Sequence, residues 1–264
     1  MINVNIENVG LTGGKLHTLV FPFGHELSRG VLPNRFHRRI IGYNDAVGTT
    51  LEDITDTSAN IVIPTTAVAV EMDSTSGDDA SGGTGIQEVE VHGLDGNFDE
   101  VSERVEMNGT TAVAITQTFI RINNIHAMRV GSGGVAAGEV TVQGSGGGQE
   151  YGRIGAGGNT MLQCLFTIPA NHKGFVEAWT AGGTTKDSRI VLRATRDWDD
   201  TTLTVGVFQS QDVIVTSSAT TFRPFPIPIA LPPKCDVKVS GQALVAGAQI
   251  SASIDLWYER IFEK

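Results

Sequence analysis

The chain has 264 residues and a mass of 28.0 kDa, enough for one large hydrophobic core or two smaller ones. Charged residues make up only 18 %, against 40 % hydrophobic residues and 32 glycines, which excludes a disordered polyelectrolyte and favours a turn-rich globular fold. The net charge of −10 is uneven: residues 45–110 carry fifteen acidic side chains and one basic one, a segment that repels nucleic acid and attracts basic surfaces.

In chain order, the first 13 residues lack a basic flank followed by an apolar run, and no stretch of 18 apolar residues occurs, so neither a signal peptide nor a membrane span is expected. Residues 1–44 show no period and carry Arg35, Arg38 and Arg39 beside Phe36 and His37. They are expected to form an extended arm that reaches a neighbouring subunit, where arginine binds carboxylates bidentately.

Residues 45–143 are expected to form a β-sandwich domain, because short alternating runs bounded by Gly, Asn, Asp or Pro recur there. In Ile86–His92, Val89 and Val91 share one face while Glu88, Glu90 and His92 share the other. An Asp95–Gly96 turn then leads to Val101, Glu103, Val105 and Met107 on one face, and Asn108–Gly109 supplies a further turn. Three consecutive antiparallel strands are predicted from this pattern.

Residues 144–158, centred on Gly144–Gly148, read as a Gly-rich linker or loop and set the domain boundary. Residues 159–264 then show eight candidate strands, which suit a jelly roll. Phe225-Pro226-Ile227-Pro228-Ile229 must lie at a sheet edge, since proline donates no ladder hydrogen bond. The final alternation places Ile250, Ala252, Ile254, Leu256 and Tyr258 on a core face. The expected fold class is therefore all-β: a jelly-roll-like antiparallel β-sandwich, in two domains with an N-terminal arm.

Catalytic signals are scarce. Nucleophile elbows, phosphate loops and zinc-helix motifs are absent, and Cys164 and Cys235 stand too far apart for a thiolate metal site, so both are expected as free buried thiols. The six histidines are scattered singly, which predicts no metal site. The loops at residues 73–79 and 95–100 offer carboxylates to Ca²⁺, but without EF-hand spacing they read as turns. Trp198 among Asp197, Asp199 and Asp200 leaves open a carbohydrate-binding or carbohydrate-active reading. No catalytic residue, cofactor or metal ligand is assigned, and the chain is expected not to be an enzyme.

Several segments together resemble virion structural proteins of tailed bacteriophages. They are Gly42–Asp45, Leu51–Ile54, Val89–Asn97, Val105–Thr111, Thr167–Gly174 and Leu231–Val237, with the alternating last strand. The resemblance spans most of residues 40–260 and rests on β-sandwich phrasing, without a catalytic signature. It implies a particle component found in the virion and assembled in the host cytoplasm. Its expected role is a capsid decoration or cement protein bound to the major capsid protein or other virion proteins. A homo-oligomer is implied, with a trimer favoured, and neither nucleic acid nor membrane as partner. A tail, collar or receptor-binding component is the alternative. For assembly contacts the candidates are Arg35, Arg38 and Arg39 in the arm, and Asp73, Asp78 and Asp79 in the acidic loop.

Overall fold

The computed structural model describes residues 9–12, 15–18, 23–56, 60–184, 186–195 and 207–261. A hairpin of β1 (Val9–Thr12) and β2 (Lys15–Thr18) and a single helical turn and a half, α1 (Phe23–Ser28), precede two β-sandwiches. Among the described residues, no helix is long and apolar enough to cross a membrane.

The larger sandwich comprises β3 (Arg35–Val47), β4 (Glu52–Asp53), β12 (Leu165–Thr167), β13 (His172–Thr184), β14 (Asp187–Thr195), β15 (Phe208–Ser217), β16 (Thr220–Leu231), β17 (Asp236–Ala243) and β18 (Ala248–Arg260). One sheet runs β16-β13-β18-β3 and the other β12-β17-β14-β15, with β4 also on β17. The antiparallel pairs are β3 with β18, β4 and β12 with β17, β13 with β16, and β14 with β15. First thus pairs with last and each inner strand with its mirror in chain order, which is the double Greek key of a jelly roll. Trp179, Ile190, Leu192, Val239, Ile254 and Leu256 fill its core. All five core-face residues expected on the last strand, Ile250 to Tyr258, are buried there.

The smaller sandwich lies between β4 and β12. Its strands are β5 (Val68–Ser74), β6 (Ile86–Leu94), β7 (Glu100–Glu106), β8 (Val113–Phe119), β9 (Arg121–Val130), β10 (Val140–Gly144) and β11 (Glu150–Ile154). A four-stranded sheet, β11-β10-β5-β8, faces a three-stranded sheet, β7-β6-β9, across a core that includes Met72, Val89, Val91, Phe119 and Ile125.

The insertion interrupts one jelly-roll strand. β4 pairs with β17 at Gly241 and Ser240, and β12 continues that row at Lys238 to Asp236. Between them, Ile54 donates to the Val239 carbonyl, Val239 donates to that of Cys164, and Cys164 donates to that of Ile54. Gly42 lies against this junction, and a Cβ there would fall 2.5 Å from both Cys164 Cβ and the Ile54 carbonyl oxygen, so the close approach requires glycine.

Three expectations change. The arm does not extend to residue 44: from Arg35 onward the chain is β3, an edge strand with Ile40 and Val47 in the core. Its period is hidden because its outer face and one end are exposed, so charged residues occupy positions that a central strand would fill with apolar ones. Residues 144–158 do not separate domains either. Residues 145–149 close the β10–β11 hairpin and the rest includes β11 itself; Gly146 and Gly147 take φ of 84° and 77°, which explains the glycine run as turn chemistry. The third consecutive strand, β8, leaves the β6–β7 hairpin to pair with β5 in the facing sheet.

Deleting residues 1–44 is therefore expected to abolish cooperative folding, because β18 keeps β13 but loses β3, its partner on the other side, along most of its length, and the core loses Ile40. The loss should match or exceed the whole stability of a typical domain, about 5–15 kcal/mol. Deleting residues 1–22 should leave a sharp melt. Circular dichroism melts of the two truncations provide the check, and a sharp transition in the longer deletion contradicts this placement of β3.

Candidate functional site

A cleft of about 470 Å³ separates the two sandwiches. β3 supplies Arg38 and Arg39 to one wall, while His92 of β6, Glu100 of β7 and Asn124 of β9 line the other. The cleft is bridged where Arg38 Nη2 comes within 4.0 Å of Glu100 Oε1 and where the Tyr258 hydroxyl donates to Glu100 Oε1 at 2.6 Å. Burial pushes the Tyr258 hydroxyl well above the usual phenol range, so it remains a donor at physiological pH.

Beside the cleft, the three-stranded sheet gathers Glu90, His92 and His126. Glu90 and His92 alternate onto the same face of β6, and the antiparallel register sets Glu90 directly opposite His126 and His92 opposite Asn124. His92 Nε2 lies 3.0 Å and His126 Nε2 3.5 Å from Glu90 Oε2, and the imidazoles stack at 5.1 Å with planes 9° apart. Arg104 Nε donates to the other Glu90 oxygen at 3.3 Å. Burial alone would raise the Glu90 carboxyl, but Arg104 and His92 outweigh it and hold it below its ordinary value. Burial lowers His126, and the neighbouring His92 adds to that.

The expected assembly residues are not gathered into one surface. Arg35 pairs with Glu259 at 2.8 Å and Arg39 with Asp255 at 3.6 Å, each directly across the β3–β18 register. Arg38 lies over the Tyr258 ring. These guanidinium groups thus have carboxylates or an aromatic ring of their own chain as neighbours. In the acidic loop, Asp78 is exposed and Asp73 is half-buried, accepting from Gln143. Asp79 is fully buried, which removes it as a contact residue. Its carboxylate accepts from the Ser74 hydroxyl and from the backbone amides of Ile86, Ala137 and Gly138. Neither Cys164 nor Cys235 is in a disulfide among the described residues, and both are buried. Asp197, Trp198, Asp199 and Asp200 lie outside the described residues.

The His–Glu cluster contradicts the expectation of isolated histidines. Its two histidines are 34 positions apart, and the only sequence signal was the shared face of Glu90 and His92. The β6–β9 pairing that adds His126 arises only after the chain has visited the other sheet.

Asp56, where the chain leaves β4, is a carboxylate in an unfavourable buried setting. Burial pushes its carboxyl up to about 6 from 3.8, with a hydrogen bond from its own backbone amide, the Arg153 charge and the Gly155 amide offsetting only part, and its Oδ1 has no hydrogen-bond partner among the described residues. A folded-state pKa raised above the unfolded one favours folding below about pH 4, and that contribution is lost as pH rises through 6. Asp56→Asn is therefore expected to match wild type near pH 4 and to be more stable by about 2–3 kcal/mol at pH 8. Urea denaturation at both pH values tests this, and a pH-independent difference would contradict it.

The pairing scheme defines the protein as a jelly-roll β-sandwich carrying a second sandwich within one of its strands. No protein-family model matches the chain, and no curated protein matches it. Among solved structures, it is similar to the T13 viral particle of infectious bursal disease virus at 10 % identity, covering 91 % of this chain and 79 % of that one, with a TM-score of 0.14. It is similar to the VP2 subviral particle of the same virus at 9 % identity, covering 92 % and 83 %, with a TM-score of 0.15. At these values the likeness carries no functional argument.

Proposed function

We propose that the protein is a non-enzymatic structural component of a tailed-phage virion, a capsid decoration or cement subunit that binds the head shell as a homo-oligomer. The tailed-phage placement and the trimer rest on the sequence resemblance. The assembly role rests chiefly on one flank of the jelly roll. The insertion occupies the side bounded by β3 and by β4 with β12, whereas β15 and β16 form the opposite edges. There Val215, Phe222 and Ile227 are exposed, Ile227 at 85 % and Val215 at 77 %.

Exposed apolar side chains on these edge strands favour burial against another protein. Pro224, Pro226 and Pro228 remove amide donors from β16, so contact is made through side chains instead of by adding a strand. Between Ile229 and Pro224 the register with β13 shifts, and Ile227 stands out from the edge.

Cryo-electron microscopy of the particle tests this reading. Many copies at local symmetry positions of the shell, with the β15–β16 flank in contact, are expected. A single ring at one vertex would move the protein to the tail or collar.

A further inference from the structure

We propose that Glu90, His92 and His126 form a binding site for a divalent transition-metal ion of the zinc type. The three ligand atoms lie within 4.8 Å of one another. Tetrahedral ligands at 2.0–2.1 Å from zinc stand roughly 3.3 Å apart. The two measured edges from Glu90 Oε2, 3.0 Å to His92 and 3.5 Å to His126, bracket that spacing. Closing the third edge requires the half-buried imidazoles, now stacked with planes 9° apart, to rotate about their side-chain bonds until both ring planes meet at the ion.

The scaffold holds these groups firmly. All three sit on paired strands and not on loops, and their backbones are fixed by the β6–β9 ladder over the buried Val89, Val91 and Ile125. Supporting contacts are also present. Arg104 holds the second Glu90 oxygen, and the Asn124 side-chain amide lies 3.4 Å from His126 Nδ1. With its carbonyl oxygen turned to Nδ1–H, Asn124 would fix the tautomer that leaves Nε2 free for the ion.

Two imidazoles and one carboxylate favour Zn²⁺, Co²⁺, Ni²⁺ or Cu²⁺ over Ca²⁺ and Mg²⁺, which take oxygen ligands. Three protein ligands leave a fourth position open. His92 and Asn124 also line the cleft, so a small anionic group entering there would meet the ion together with Arg38 and Arg39.

The test uses the full, untagged chain stripped with a chelator and titrated with Zn²⁺ by calorimetry, and with Co²⁺ by visible absorption. One equivalent of Zn²⁺ and a tetrahedral Co²⁺ spectrum are expected, with no uptake of Ca²⁺ or Mg²⁺. His92→Ala and His126→Ala should each weaken Zn²⁺ binding at least about 100-fold, and Asn124→Ala about tenfold. Glu90→Gln preserves shape and should weaken binding as strongly, which covers the case in which an alanine variant misfolds by circular dichroism. Absence of Zn²⁺ binding in the wild-type chain at about 1 mM overturns the proposal, as does binding that survives in folded Glu90→Gln and His126→Ala.

Discussion

Replacing Asp236 with alanine is expected to destabilise the protein by about 3–5 kcal/mol and to lower its melting midpoint by about 10 °C. Arg121, the first residue of β9 in the inserted sandwich, and Asp236, the first residue of β17 in the jelly roll, form a bidentate pair at 2.8 and 2.9 Å, each 1 % exposed. The guanidinium also donates to the Pro64 and Ile120 carbonyls, and Thr167 Oγ1 donates to Asp236 at 2.5 Å. Removing one partner leaves a buried charge without its counterion, which costs far more than the pair contributes over an apolar replacement. The double variant Arg121→Met with Asp236→Leu should therefore recover much of the loss.

This pair also couples the two sandwiches. It adjoins a small cluster of Leu94, Phe98 and Ile120, and both Arg121 and Lys234 lie over the Phe98 ring. The single variant should split one unfolding transition into two, because the inserted sandwich loses its main polar anchor to the jelly roll. Urea denaturation with probes in each sandwich measures both effects. A loss below about 1 kcal/mol would show that the pair is not a clamp. Added salt should change little, since the pair is shielded from counterions.

The second large effect is expected at Asp79, where both Asn and Ala should cost about 3–5 kcal/mol. The carboxylate accepts four hydrogen bonds, from Ser74 at the end of β5, from Ile86 at the start of β6, and from Ala137 and Gly138 in the loop before β10, and Ser74, Ile86 and Gly138 are buried with it. Each orphaned buried donor costs about 1–3 kcal/mol. Asparagine fares no better, because its amide nitrogen would face backbone N–H groups that also donate. Hydrogen exchange should show the loss of protection concentrated at Ile86, Ala137 and Gly138. If Asp79→Asn keeps full stability yet fails to assemble, the buried-hub account is wrong and a contact role returns.

Much of the fold was legible because strand alternation is a local property. Val89 and Val91 against Glu90 and His92, the core stripe from Ile250 to Tyr258, and the proline-marked edge at residues 225–229 all stand as the periodicity indicates. Less legible were features whose cause lies far along the chain. β3 is polar enough to look like an arm because it is an edge strand, and the glycine run at residues 144–148 is a hairpin turn whose partner strands are short. Eight strands were counted after residue 158, but part of the jelly roll comes from residues 35–53.

The sequence by itself determined that this chain is all-β, where many of its turns fall, which residues face inward on the strands that alternate cleanly, and that a proline-rich segment lies at an edge. Those follow from φ preferences and period-two alternation, which act within a few residues. Only the tertiary structure decided that one sandwich interrupts a strand of the other, that Asp79 is a buried hub, and that His126 stands opposite Glu90. Register between strands distant in sequence is set by packing of two cores at once, and no window of neighbouring residues contains that information.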